Sequence, residues 1–257
     1  MNRNRMQTAL KQHRGEVRVP KHQVVAGLAI GIIVIDAWYP MLPGNVANAG
    51  TYEFPVTYKI LRGATIEQVL RGDPILKDLI IEAGKELVET HGVRAIVGAC
   101  GSFANYQSEV AAALDVPVFM SVMLQVPMIL RSLKPTERLG ILAASKKALT
   151  PRIFQECGIS DPSRLVIAEA KRSLEFQTLM QCRGEFDTST MEEQLVALTV
   201  EMVTRNPDVR ALLIQCSDLP PYASSLQNAT GLPVFDMNGL VEWLYYAVVR
   251  EPYIGFV

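Results

Sequence analysis

Histidine is scarce in this chain and cysteine hardly commoner. Three histidines occur in 257 residues, and two of them, His13 and His22, lie in a basic N-terminal lead, so His91 alone belongs to the body of the sequence. A histidine-rich metal centre or a Ser-His-Asp triad would have to be built around that one residue, and no metal site is expected. The four cysteines, at positions 100, 157, 182 and 216, make no C-x-x-C pair and are too sparse for a disulfide scaffold. Reduced thiols in a cytoplasmic protein are the expectation. An excess of charge is missing too: 25 Lys+Arg against 26 Asp+Glu leave a net charge of -1, with no surplus to neutralise phosphates, so nucleic acid is not an expected partner. Long hydrophobic runs are absent. The apolar stretch Val24 to Ile35 falls short of the roughly 20 residues of a membrane span, so no membrane association is expected. Its β-branched end, Gly31-Ile-Ile-Val-Ile-Asp36, reads instead as a buried first strand, with residues 1–21 before it as a mobile lead. Gly27 to Gly31 lacks G-x-G-x-x-G spacing, which leaves nucleotide binding unsupported.

What is present is a regular alternation. Phe54 to Leu61 reads as a second strand, and Asp73-Pro74 opens a helix that runs to about Thr90. Short apolar strands then alternate with helices to the end of the chain, which predicts an α/β fold with parallel sheets covered on both faces. An internal repeat divides it. A shift of 116 residues aligns Arg94 to Phe119 with Arg210 to Phe235 without a gap and with nine identities in 26 positions, among them Cys100/Cys216 and Tyr106/Tyr222. Two such β-α-β units predict two pseudo-symmetric α/β domains, 22–120 with 236–257 and 121–235, and an active site in the cleft between them.

Each copy of the repeat has a cysteine at its strand-to-helix junction. A thiol there lies near free backbone N–H groups and the positive end of a dipole, which predicts a pKa lowered from about 8.5 toward neutrality. Two such thiols across a cleft supply a base on one side of a carbon atom and an acid on the other. Inversion of a stereocentre by proton removal and return needs that pair, with no metal or other cofactor. Gly101-Ser102 and Ser217-Asp218 offer N–H groups for a substrate carboxylate. Cys157 and Cys182 have no counterpart in the repeat and read as structural.

The segments Val97-Gly-Ala-Cys-Gly-Ser-Phe103, Leu213-Ile-Gln-Cys-Ser-Asp-Leu-Pro-Pro-Tyr222 and Thr230-Gly-Leu-Pro-Val-Phe-Asp236 resemble the Asp/Glu/hydantoin racemase superfamily. Tyr39-Pro-Met-Leu-Pro-Gly-Asn-Val-Ala-Asn48 and Phe54-Pro-Val-Thr-Tyr58 are similar to its aspartate/glutamate racemase-like branch. The resemblance covers nearly the whole chain after residue 24. It implies two pseudo-symmetric domains, no cofactor, a small carboxylate substrate, a homo-oligomer, and Cys100 and Cys216 as the two acid-base residues. Ser102 and Ser217, or their amides, would then hold the carboxylate. The activity so implied is that of an isomerase racemising an acidic amino acid such as aspartate or glutamate. Hydantoin racemase, maleate cis-trans isomerase and arylmalonate decarboxylase-like chemistry are alternatives, as is an inactive carboxylate-binding protein. Ala99, Gln215 and Asn45 stand where that branch usually has Thr, Glu and Asp, a change in which ligand charges the cleft tolerates. Asn45 reads as a substrate contact or a turn former, and Ser121 and Ser145 as cleft residues or helix caps.

Overall fold

A computed structural model describes residues 23–253; the lead expected over 1–21 lies outside them. Eight strands form two sheets. β1 (Ile30–Ile35), β2 (Val56–Leu61), β3 (Ala95–Gly98) and β4 (Val118–Phe119) make the first, in the order β2-β1-β3-β4. β5 (Arg138–Ala143), β6 (Leu165–Glu169), β7 (Val209–Ile214) and β8 (Val234–Phe235) make the second, in the equivalent order β6-β5-β7-β8. Every pairing is parallel. The fold is α/β, as the alternation predicts.

Parallel strands need crossover connections, and these are helices: α1 (Ile66–Arg71), α2 (Leu76–His91), α3 (Gln107–Ala113), α4 (Val126–Ser132), α5 (Pro151–Glu156), α6 (Leu174–Met180), α7 (Thr188–Arg205), α8 (Ala223–Thr230) and α9 (Met237–Val248). The period-two alternation of the strands sorts their side chains into three cores. Ile30, Ile32 and Val34 of β1 face a central core that they share with Leu139 and Ile141 of β5 and Leu213 of β7. Ile33, on the opposite face of β1, packs with Ile80 and Leu87 of α2, while Leu212 and Ile214 of β7 pack with Leu195 and Met202 of α7. The two sheets therefore hold one another through apolar burial rather than through a linker.

Two helices pack across the pseudo-symmetry. α4, which follows β4, lies against β5 of the other sheet; α9, which follows β8, lies against β1 and β3. That exchange clamps the sheets with their carboxyl edges facing. No described helix is long and apolar enough to cross a membrane.

The structure adds two helices that the apolar periodicity did not reveal, α1 and α6. Each is under two turns or close to it, too short for a 3.6-residue pattern to repeat. Caps define them instead. Thr65 and Gln68 form a reciprocal capping box at α1, and the Ser173 hydroxyl accepts from the Phe176 amide at α6.

Candidate active site

In an open α/β sheet, ligands bind beyond the carboxyl ends of the strands at the point where successive connections leave in opposite directions. Here those points lie between β1 and β3 and between β5 and β7, and the two face each other. One cavity occupies the junction. Ile35 and Tyr39 reach it from beyond β1, residues 99–102 from β3, Ala144 from β5 and residues 215–218 from β7. Ile66, Val69 and Leu70 of α1 and Met180 of α6 complete an apolar wall.

The cavity is small: its volume is about 30 Å³, far below the ~300–1,000 Å³ of sites that hold small molecules. Contacts between the two carboxyl edges keep it so. The Ser217 hydroxyl donates to the Ala99 carbonyl at 2.8 Å, and the Val46 amide donates to the Ser217 carbonyl at 3.2 Å. A Cβ on Gly101 would lie 2.1 Å from Gln215 Nε2 and 2.4 Å from its carbonyl oxygen, so only glycine lets the two strand ends come this close. Elsewhere, Trp38 packs over Gly184, which has a φ of +82°.

Both repeat cysteines line this one cavity, Cys100 half-buried and Cys216 only 8% exposed. The expectation of lowered thiol pKa values is corrected. Burial pushes Cys100 up to about 11, although the amides of Ser102 and Phe103 pull it back. Cys216 is raised well above the ordinary thiol value by burial and by the Asp218 carboxylate. The turn after Cys100 is a 3-10 helix, Gly101–Tyr106, and that after Cys216 is a loop, so neither dipole outweighs the loss of solvent.

Among the described residues, Asp218 is the only ionisable side chain in the lining besides the thiols and Tyr39. The Tyr39 hydroxyl and Asn45 Nδ2 both donate to Oδ1, at 2.8 and 2.9 Å, while the Cys216 thiol donates to Oδ2 at 3.4 Å. Burial raises the Asp218 pKa against the pull of those three donors. Ser102 Oγ, also in the lining, is fully buried and has no hydrogen-bond partner among the described residues. Gln215, 3% exposed, places its amide beside it at Gly101.

The remaining expected site residues separate into groups. Gly101, Ser102, Ser217 and Asp218 line the cavity, but the Ser217 hydroxyl is committed to Ala99. Asn45 lies behind Asp218, and its own Oδ1 accepts from the Ala47 amide, so it is both a turn former and a support for the carboxylate. Ser121 and Ser145 lie outside the cavity. Ser121 caps the turn at Met123 and donates to the Gly101 carbonyl, and Ser145 caps at Lys147 and receives Lys171. Their helix-cap reading is the one the structure supports. Cys157 is buried in the central core, away from the site. Tyr39 and Gln215 were not named as site residues from sequence, although Gln215 stands where the resembled branch usually has Glu and Tyr39 opens the loop segment similar to that branch. Among the described residues no group of three His, Cys, Asp or Glu is placed to hold a metal ion.

No protein-family model matches the chain. Over 237 residues, 88% of its length, it is 30% identical to dimethylsulfoniopropionate lyase 7 of Emiliania huxleyi and covers 69% of that protein. The chain belongs to the dimethylsulfoniopropionate lyase family. It is also 31% identical to lyase 5 of the same alga, of whose length it spans about half, 47%. Among solved structures, arylmalonate decarboxylase matches with a TM-score of 0.55 at 17% identity, over 88% of this chain and 94% of that one. An aspartate racemase homologue from Pyrococcus horikoshii matches with a TM-score of 0.53 at 17% identity, over 84% and 98%. The fold is that of the Asp/Glu/hydantoin racemase superfamily, as the sequence resemblance implied.

Membership of a lyase family overturns the expectation of an isomerase acting on an amino acid. The racemase likeness is one of fold.

Proposed function

We propose that this chain is a cofactor-independent lyase that cleaves dimethylsulfoniopropionate by β-elimination. The observation that carries the reading is that the two repeat cysteines of a lyase-family chain line one cavity, one supplied by each sheet. A cysteine thiolate takes the proton from the carbon next to the carboxylate. The C–H electron pair becomes the double bond of acrylate, the C–S bond breaks, and dimethyl sulfide leaves with its electron pair. The unpartnered Ser102 hydroxyl and the Gln215 amide are the groups offered to the substrate carboxylate, where charge builds as the proton departs. Closure of the edges removes water and strengthens these contacts.

The test is direct. The purified full chain is incubated with dimethylsulfoniopropionate, headspace dimethyl sulfide is measured by gas chromatography and acrylate by proton NMR. Equimolar products are expected from wild type and none above background from the C100S/C216S double variant. No dimethyl sulfide from wild type, or wild-type yield from the double variant, would overturn the reading.

A further inference from the structure

Asp218 is a costly residue for this position. A carboxylate out of water needs a counter-charge, and removal of a charge from solvent without one costs several kcal/mol. Among the described residues no Lys, Arg or His lines the cavity, and no cationic side chain is paired with Asp218. Its hydrogen bonds do not explain it either. Tyr39 and Asn45 both donate to Oδ1, a role that the amide oxygen of asparagine would fill without a charge. Oδ2 receives only the Cys216 thiol at 3.4 Å, a weak donor, which leaves its lone pairs for something else in the cavity. Tyr39, fixed by its own hydroxyl, adds aromatic surface to the same lining. A fixed carboxylate beside an aromatic ring is a recognition site for an onium group, attracted by the charge and by the ring quadrupole.

We propose that Asp218, oriented by Tyr39 and Asn45, anchors the cationic centre of the substrate and restricts the site to zwitterions whose onium group lies two carbons from a carboxylate. The inference deepens the lyase reading and rests on it for the length of the ligand. Ser102 and Gln215 on the one hand and Asp218 on the other offer the carboxylate and the onium separate partners in the lining that also holds both thiols. A dicarboxylate such as aspartate or glutamate would bring a second negative charge against Asp218 and is excluded.

The experiment compares two ligands of one shape. 3-(Trimethylammonio)propionate has the charge of the substrate with a poorer leaving group; 4,4-dimethylpentanoate replaces its nitrogen by carbon and is neutral at that end. Binding of each to the full chain is measured by titration calorimetry for wild type and D218N, with melting temperatures recorded. Wild type is expected to prefer the onium ligand by at least about thirtyfold, the scale of a buried charge pair. D218N is expected to lose most of that preference while melting no lower, because asparagine keeps the Oδ1 contacts. Equal affinity of wild type for both ligands, or a folded D218N that keeps the preference, would overturn the proposal. Were D218N not to fold, the wild-type comparison alone would decide, Asp218 being the only carboxylate in the lining. The two readings fail separately: absence of dimethyl sulfide with an Asp218-dependent onium preference refutes the lyase and keeps the anchor, and the reverse pattern refutes the anchor alone.

Discussion

A single methyl group at Gly101 would disturb the geometry between the two thiols without changing either. The new Cβ of G101A would lie 2.4 Å from the Gln215 carbonyl oxygen, against about 3.4 Å for ordinary contact, so the two strand ends must separate by about 1 Å. The nearer clash, with Gln215 Nε2 at 2.1 Å, is relieved by rotating the side chain, which takes the amide out of the cavity. The carbonyl has no such freedom, because the Gln215 amide is held by the Leu142 carbonyl at 2.9 Å at the end of β7. Cys216 is the next residue and moves with it. Displacement of a reacting group by ~1 Å costs about a hundredfold in rate, and overpacking costs ~1–3 kcal/mol in stability. The expected outcome is a roughly hundredfold fall in kcat/KM for dimethyl sulfide release, with a native far-UV spectrum and a modest loss in the urea midpoint. An activity within threefold of wild type would show that the close approach of Gly101 to Gln215 does not set the thiol geometry.

Three further outcomes are expected. Both thiols are raised by burial, so the free enzyme has little thiolate at neutral pH, and kcat/KM should climb about tenfold per pH unit between pH 7 and 9; a plateau below pH 8 would contradict it. A cation about 4 Å from a thiolate contributes ~4 kcal/mol at an effective dielectric of 20, enough to undo that rise, so kcat should level off at lower pH than kcat/KM. Elimination needs one proton acceptor where racemisation needs two, so C100S and C216S should differ in residual activity by at least about tenfold, and equal losses would count against a one-base reaction. Ile32, fully buried at the centre of β1, should lose ~2–5 kcal/mol on I32A in urea unfolding followed by circular dichroism, with the slope unchanged.

The repeat between Arg94 and Arg210 made the paired β-α-β units and the two cysteine junctions legible in the sequence, through a gapless shift of 116, whereas strand order and register come from the structure. The walls of the site were harder to read. Ile66, Val69, Leu70 and Met180 come from α1 and α6, helices too short for periodicity, though Thr65-Ile-Glu-Gln68 carried a readable capping box. Asn45 and Asp218 meet across 173 residues, and no local pattern announces such a pair. The thiol pKa values went the other way from expectation for a related reason. A residue's place beside helical amides is visible in sequence, whereas the second sheet that closes over it is not, and burial is the larger effect.

The repeat gives the two thiols equivalent positions, and the residues around them take that equivalence away. Two residues beyond each cysteine the copies have Ser102 and Asp218, and one residue before they have Ala99 and Gln215. Cys100 consequently rests on the amides of Ser102 and Phe103, while Cys216 donates to a carboxylate that also holds Tyr39 and Asn45. A racemase runs in both directions through the same planar intermediate, so each thiol acts in turn as acid and as base. An elimination discharges its intermediate by expelling a leaving group and never asks the second thiol to return the proton. A carboxylate on one side is then no handicap. Asp218 raises the pKa of the neighbouring Cys216 thiol, and in the proposed elimination it would draw the cationic sulfonium to that side before neutral dimethyl sulfide leaves.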